Sequence, residues 1–329
     1  MPPDTRPPPF SNLDPMMIAD AIESLGFSLG SEPFALNSYE NRVVSFRDDD
    51  GGRWVAKFYR PGRWSNAAIL DEHALLGRLE TDGVPVGPLW RDAGGRSLFE
   101  FSDQRLAIFA QVPGRAPSLD DPAQLFALGE VIGRMHASAQ SLELLHRPHF
   151  DALSSCSASR ETVLASGRLR GRLATDYADI SARLIESIES LRLPDAASIL
   201  VHGDCHVGNL LGDGEHFALV DFDDCMYAPA VQDLWMLLGD DHEQGWRAQL
   251  EELVEGYEQY RSFDRAEIQW IELLRSVRLM RHAAWLLARW DDPAFPRAFP
   301  WVEGEGFWHD QLRALELQRV AIARKPWLA

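Results

Sequence analysis

Over roughly the first hundred residues, apolar positions alternate with polar ones in short runs; beyond them the repeat lengthens to the three-to-four spacing of helices. "RVVSFRD" and "RWVAKFYR" have the period of strands, and the "DDGG" between them is a hairpin signal. "GRSLFEF" and "RLAIFAQV" read as two more strands. Two helices are predicted among them. "DPMMIADAIESLGF" offers Asp14 as N-cap, Pro15 at the first helical position and Gly26 as stop, and "SNAAILDEHALLGRLETDG" opens at Ser65 and closes near Gly83. The sum is a small antiparallel sheet carrying an inserted helix, an α+β unit.

After "QVPGR", which reads as a linker, the pattern turns helical, beginning with "PAQLFALGEVIGRMHASA". A helical stretch is expected from about Glu161 to Leu193, strand-and-loop elements at "ILVHGDCHVGNLL" and "HFALVDFDD", and a last long helix from about Arg265 to Trp290. On that helix Trp270, Leu273, Val277, Met280, Ala284 and Leu287 share a core face, and Arg275, Arg278, His282 and Arg289 form an opposite, ion-paired one. The predicted division is an N-terminal lobe over 1–111 and a helical C-terminal lobe over 112–329.

Charge narrows the range of partners. A formal net charge of −18 at pH 7 repels polyanions, which argues against nucleic acid or an anionic membrane as the main partner. Three cysteines, Cys156, Cys205 and Cys225, give no disulfide framework and suit a reducing compartment. "MPPDTRPPPF" has neither the basic nor the apolar region of a secretion signal, so a cytosolic protein is expected. Lysine occurs only at Lys57 and Lys325, against 30 arginines. Lys57, inside a strand, therefore marks a place where a compact ammonium is needed and a planar fork would not serve.

"ILVHGDCHVGNLL" sets an apolar run against His202, Asp204, Cys205, His206 and Asn209. A metal cluster of His202, Cys205 and His206 with Cys225 is one reading, but the spacing matches no usual zinc pattern. The second reading uses more of the residues. Asp204 and Asn209 lie five positions apart and Asp221 follows twelve later, the order of a kinase loop H-x-D-x-x-x-x-N and its metal-binding aspartate. One amide and one carboxylate oxygen suit Mg2+, leaving Asp204 to accept a proton from an attacking hydroxyl. Upstream, Lys57 on the third strand and Glu72 fifteen residues later on a helix are the pair that fixes nucleotide phosphates. Asp223 and Asp224 orient loops or cap a helix, with a supporting role at the metal open for Asp223; Asp233 is expected to hold the catalytic-loop backbone.

"LNSYENRV", "VAKFYRP", "LVHGDCHVGN", "VDFDD", "APAVQDLWMLL" and "WDDPAFP" resemble the bacterial stress response kinase A group, within the aminoglycoside-phosphotransferase and choline-kinase-like superfamily. The likeness runs from about Leu13 to Trp301. It implies a two-lobed, protein-kinase-like α+β fold, binding of ATP and Mg2+, and serine/threonine protein kinase activity; a monomer acting on Ser/Thr-bearing protein substrates is expected. Position by position it makes Asp204 the proton acceptor, Asn209 and Asp221 the metal ligands, Lys57 and Glu72 the phosphate-binding pair, Ser38 a phosphate-loop contact and His202 a support of loop geometry. The chain departs from eukaryotic kinases in lacking a Gly-rich loop, in reading "DFD" for D-F-G, and in having no A-P-E. A small-molecule hydroxyl kinase and a nucleotide-binding regulatory protein are the alternatives.

Overall fold

The computed structural model describes residues 8–239 and 245–324; the proline-rich opening up to Pro7, and Lys325, lie outside them. There are two compact units, one of Met1–His149 with Ala197–Phe263, the other of Phe150–Ala196 with Asp264–Ala329. The predicted boundary at 111/112 falls inside the first unit. Among the described residues no helix is long and apolar enough to cross a membrane.

The first unit begins with α1 (Pro15–Glu23), where Asp14 accepts the Met17 N–H at 2.8 Å and Pro15 needs no partner. Strands β1 (Phe34–Ala35), β2 (Arg42–Arg47) and β3 (Arg53–Phe58) precede α2 (Asn66–Thr81); β4 (Phe99–Phe101) and β5 (Gln104–Ala110) follow it. Together the strands form an antiparallel sheet in the order β1-β2-β3-β5-β4. The β2–β3 turn is closed by Asp48, whose carboxylate accepts the Gly52 N–H at 2.6 Å and the Trp54 indole N–H at 2.7 Å.

Strand alternation decides where Lys57 goes. Val44, Phe46, Ala56, Phe58, Leu106 and Ile108 join Phe10, Ala21 and Ile22 of the N-terminal segment in one core, each large side chain stabilising the fold by about 1.5–3 kcal/mol. Lys57, between Ala56 and Phe58, must project from the other face. On that side α2, capped by Ser65 accepting the Ala68 N–H at 3.1 Å, brings Glu72 to it.

Helix α3 (Pro122–Ala139) covers the predicted stretch, with Asp121 as cap. Helices α4 (Ala152–Ala165) and α5 (Gly171–Glu189) belong to the second unit. The chain then returns to the first for β6 (Ile199–Val201), β7 (Leu210–Gly212), β8 (Phe217–Leu219), β9 (Met226–Ala228) and α6 (Trp246–Tyr257). Helices α3 and α6 touch backbone to backbone. A Cβ at Gly129 would clash with the Leu253 carbonyl, and one at Gly256 with that of Phe126. This close crossing brings His136 to Tyr257, ring nitrogen to hydroxyl at 3.0 Å.

In the second unit the structure corrects two expectations. The stretch expected over 161–193 is two helices, α4 starting nine residues earlier at Ala152 and ending where Gly167 turns left-handed, then α5. "ALSSCSAS" hides its helix because small polar residues blur the apolar period; the Asp151 cap, accepting the Ser154 N–H at 3.0 Å, starts it. The helix expected from Arg265 is a 3-10 turn up to Trp270, followed by α7 (Ile271–Ala288). It is not the last long one: α8 (Ala294–Ala298) and α9 (Glu305–Arg324) come after. The named apolar stripe is buried from Leu273 to Leu287, joined by Ile271, Leu274 and Leu286, because α7 packs against both α4 and α9. Arg275 is ion-paired with Glu272 at 2.9 Å.

Candidate active site

Two short ladders bracket the loops that hold the candidate residues. Val201 pairs with Met226 at the end of β6–β9, and Leu210 pairs with Leu219 at the start of β7–β8. Loops 202–209 and 220–225 are thus tethered at both ends. Between the tethers, Val220 N–H donates to the Asn209 carbonyl at 3.0 Å, and the His202 ring Nε2 donates to the Val220 carbonyl at 3.0 Å. The other ring nitrogen of His202 accepts the Asp204 N–H at 3.4 Å, so this buried histidine splints both loops.

Asp233 secures the turn from beneath. Its carboxylate accepts the His202 N–H at 2.6 Å and the Gly203 N–H at 2.9 Å, and meets the His136 ring at 2.9 Å. This is the backbone-holding part expected of it. Gly203 has φ +85, and a Cβ there would run into the Asp224 carbonyl. Asp204 projects from the turn with its side chain 29% exposed, 3.5 Å from the His206 ring. The Asn209 amide nitrogen donates to the Asp204 carbonyl at 3.0 Å, which leaves the amide oxygen as the group Asn209 can offer a cation.

Asp221 adopts φ +61, ψ 69, a left-handed conformation uncommon for a residue with a side chain. Its carboxylate lies 2.9 Å from Lys57 Nζ and is 48% exposed. Lys57 also faces Glu72 and Asp223, each at 3.2 Å. Burial alone would lower the ammonium's pKa, but Asp221, Asp223 and Glu72 outweigh it and hold it well above the ordinary lysine value. The two buried carboxyls part ways. Burial pushes Glu72 up to about 7 against the pull of Lys57. Asp223 resists its own burial because Lys57 and then Arg63 both face it, and is held at about 2. Glu72 Oε2 is a buried acceptor with no hydrogen-bond partner, in keeping with a carboxyl easily protonated. Next to Glu72, burial and then the charge on Lys57 lower His73 to about 3; its neutral ring joins the Tyr59 and Ser97 hydroxyls, both at 2.9 Å.

The zinc-cluster reading fails on chemistry. Among the described residues no three His, Cys, Asp or Glu side chains are grouped to hold a metal. Cys205 and Cys225 are buried, and burial raises both thiols well above their ordinary value, away from the thiolate a zinc site needs. Asp223, 3% exposed and engaged by Lys57 and Arg63, is a buried strut of the loop. Ser38 is half-buried in the loop before β2, its hydroxyl donating to the Asn41 carbonyl at 3.3 Å.

Sequence reasoning missed three arginines. Arg60 donates to the carbonyls of Glu40 (2.7 Å) and Tyr39 (3.1 Å), and so holds the loop that contains Ser38. Arg63 reaches Glu40, Asp223 and Asp224. Arg147 donates to the carbonyls of Asp223 and Cys225, the second at 2.8 Å. For Arg60 and Arg63 a signal existed in "YRPGRW", two arginines flanking a Pro-Gly turn directly after the lysine strand. Arg147 had none.

The phosphotransferase enzyme family matches residues 33–271. A stress response kinase A of Escherichia coli is 40% identical over 320 residues, 96% of this chain and 95% of its own length. A Salmonella typhimurium protein named serine/threonine protein kinase RdoA is 39% identical over the same shares, 96% and 95%. Among solved structures, amicoumacin kinase hAmiN in complex with AMP-PNP, Ca2+ and Ami aligns at a TM-score of 0.69 with 20% identity, over 95% of this chain and 94% of that one. Spectinomycin phosphotransferase APH(9)-Ia, in complex with ADP and spectinomycin, aligns at 0.64 with 13% identity, over 92% and 98%. Those two speak to fold, and agree with the α+β, kinase-like architecture expected from the sequence. The matched span and the near full-length identity make this chain a phosphotransferase of the kinase type, a member of the phosphotransferase enzyme family and, within it, of the stress response kinase A group.

Proposed function

We propose that this chain is a cytoplasmic protein kinase that moves the γ-phosphoryl group of ATP to a serine or threonine hydroxyl, with Mg2+ held by Asn209 and Asp221. The observation that carries the chemistry is the convergence of a buried lysine, a hard-oxygen pair and a part-exposed carboxylate on two tethered loops and the adjoining strand. The donor set fits the ion: one carboxylate, 48% exposed, and one amide oxygen suit Mg2+, whose other ligands are water and phosphate oxygens. ATP, when bound, supplies the phosphoryl group, and Mg2+ offsets charge on its phosphates.

The chain's own residues do the rest. Lys57 holds a fixed positive charge against the nucleotide phosphates, and Glu72 and Asp223 keep it from swinging away. The loop around Ser38, without a Gly-rich stretch, offers backbone N–H groups and a short hydroxyl to those phosphates. Asp204 accepts the proton of the attacking hydroxyl, and the His202 and Asp233 bonds keep its turn at the right height.

A protein acceptor is favoured by the relatives at 39–40% identity, one of which bears the name serine/threonine protein kinase. The second reading, a small hydroxyl compound as acceptor, draws on the solved structures of similar fold, which are kinases of small molecules by name. Incubation with labelled ATP, first alone, then with a soluble protein extract, then with a panel of small hydroxyl metabolites, separates the two. Label on Ser or Thr that disappears in the Asp204→Asn variant is the expected result. Label on a metabolite only would replace the protein acceptor by the second reading. No transfer to anything would leave a nucleotide-binding regulatory protein, a role in which Asp204 has no task.

A further inference from the structure

We propose that Arg63 is a positioning residue that clamps the phosphate-covering loop to the metal-binding loop; this rests on the phosphotransfer reading above.

A Pro-Gly turn sets up the clamp. Arg63 N–H closes on the Arg60 carbonyl at 3.3 Å across Pro61 and Gly62, with Gly62 at φ +78, the conformation such a turn asks of its third residue. This places Arg60 and Arg63 at the two ends of one turn, and both reach Glu40. Arg60 Nε lies 3.3 Å from Glu40 Oε1, and Arg63 Nη1 3.0 Å from the same oxygen. Arg63 then uses its remaining nitrogens on the other loop: Nε lies 3.2 Å from Asp223 Oδ2 and Nη2 2.6 Å from Asp224 Oδ1. One guanidinium, 15% exposed, thus meets three carboxylates from segments about 180 residues apart in sequence. Arg63 presents a separate nitrogen to each carboxylate, a spread that the single nitrogen of an ammonium cannot reproduce.

The contact at Asp223 gives the clamp its consequence for the site. Asp223 faces Lys57 as well as Arg63, so it stands between the clamp and the cation that faces the phosphates. Without Arg63, Glu40 has one cation fewer to hold its loop down, and Asp223 loses one of the cations around it, keeping Lys57 at its carboxylate and Arg147 at its carbonyl. Nucleotide binding should weaken, while Asp204, tethered through His202 and Asp233, keeps its place.

The test is the dissociation constant for ATP with saturating Mg2+, measured by calorimetry on the full chain, for the wild type, Arg63→Met, Arg63→Lys, Glu40→Gln and the Arg63→Met/Glu40→Gln double variant. Loss of charge-assisted contacts should weaken binding about 10- to 100-fold in Arg63→Met. Arg63→Lys should restore little of it. Glu40→Gln, a change of one atom type at a half-buried loop position, should weaken binding by a smaller factor with an unchanged melting temperature, so the idea stays testable if Arg63→Met folds poorly. The double variant should bind about as Arg63→Met does, because both changes open the same clamp. Wild-type affinity in Glu40→Gln, full rescue by lysine, or strictly multiplicative losses would each overturn the clamp and leave the kinase reading standing. A wild-type chain that binds no ATP would overturn both.

Discussion

The two ends of the site meet water very differently. At one end the Lys57, Glu72 and Asp223 side chains are 6%, 1% and 4% exposed; at the other, Asp204 and Asp221 are 29% and 48% exposed. Fixed charges in a dry pocket need no reorganisation when a ligand arrives, so the lysine end is finished before any reactant enters. The aspartate end is open to water, which is what the proposed uptake of an ion and a proton requires. Stability should therefore depend on the first set far more than on the second.

Lys57→Met offers the strongest way to break this contrast. It leaves Glu72 and Asp223 buried without their shared cation and should cost about 3–5 kcal/mol of stability, read from the denaturant midpoint. A variant as stable as wild type would mean that the dry end is not held by charge. Next in size, Asp204→Asn should lower kcat by about 100-fold or more and change stability by no more than about 0.5 kcal/mol. If it unfolded as readily as the lysine variant, the division of labour would collapse.

The smallest effect sharpens the dry end itself. Glu72 titrates at about 7 in the fold against 4.5 outside it, so its contribution is fully present below pH 4.5 and is lost as pH rises through 7. Asp223, held at about 2 against 3.8, works in the opposite sense: its contribution is present above pH 3.8 and fades as pH falls through 2. The melting temperature of wild type relative to Glu72→Gln should accordingly fall between pH 4.5 and 7. A difference that stays flat over that window would mean that Glu72 is a plain ionised partner of Lys57.

The same compositional bias made one half of this network legible in the sequence and hid the other. With 30 arginines and two lysines, Lys57 stood out from its background, and the helix pattern found Glu72 as its partner. Arg60, Arg63 and Arg147 were lost in that background, although each binds a loop of the site. Asp204, Asn209 and Asp221 could be picked out by spacing because the two short loops that carry them are joined by the β7–β8 hairpin. Left-handed Asp221 could not, since only the folded loop asks for that backbone. Helix periods gave α3 to the residue, where one apolar face dominates, but missed the start of α4, whose small polar residues show no face.

Gly203 sets a limit on where this sequence can drift. Protein kinases with an H-R-D loop put arginine at that position. Here the backbone of Gly203 lies against the Asp224 carbonyl, its N–H is taken by Asp233 at 2.9 Å and its carbonyl by Gln232 at 2.9 Å. Even the single methyl of alanine would have to push the two loops apart. The H-G-D form is therefore an isolated solution: a lineage that adopts this close packing cannot reach the arginine form by one substitution, and must first rebuild the loop that follows Asp221.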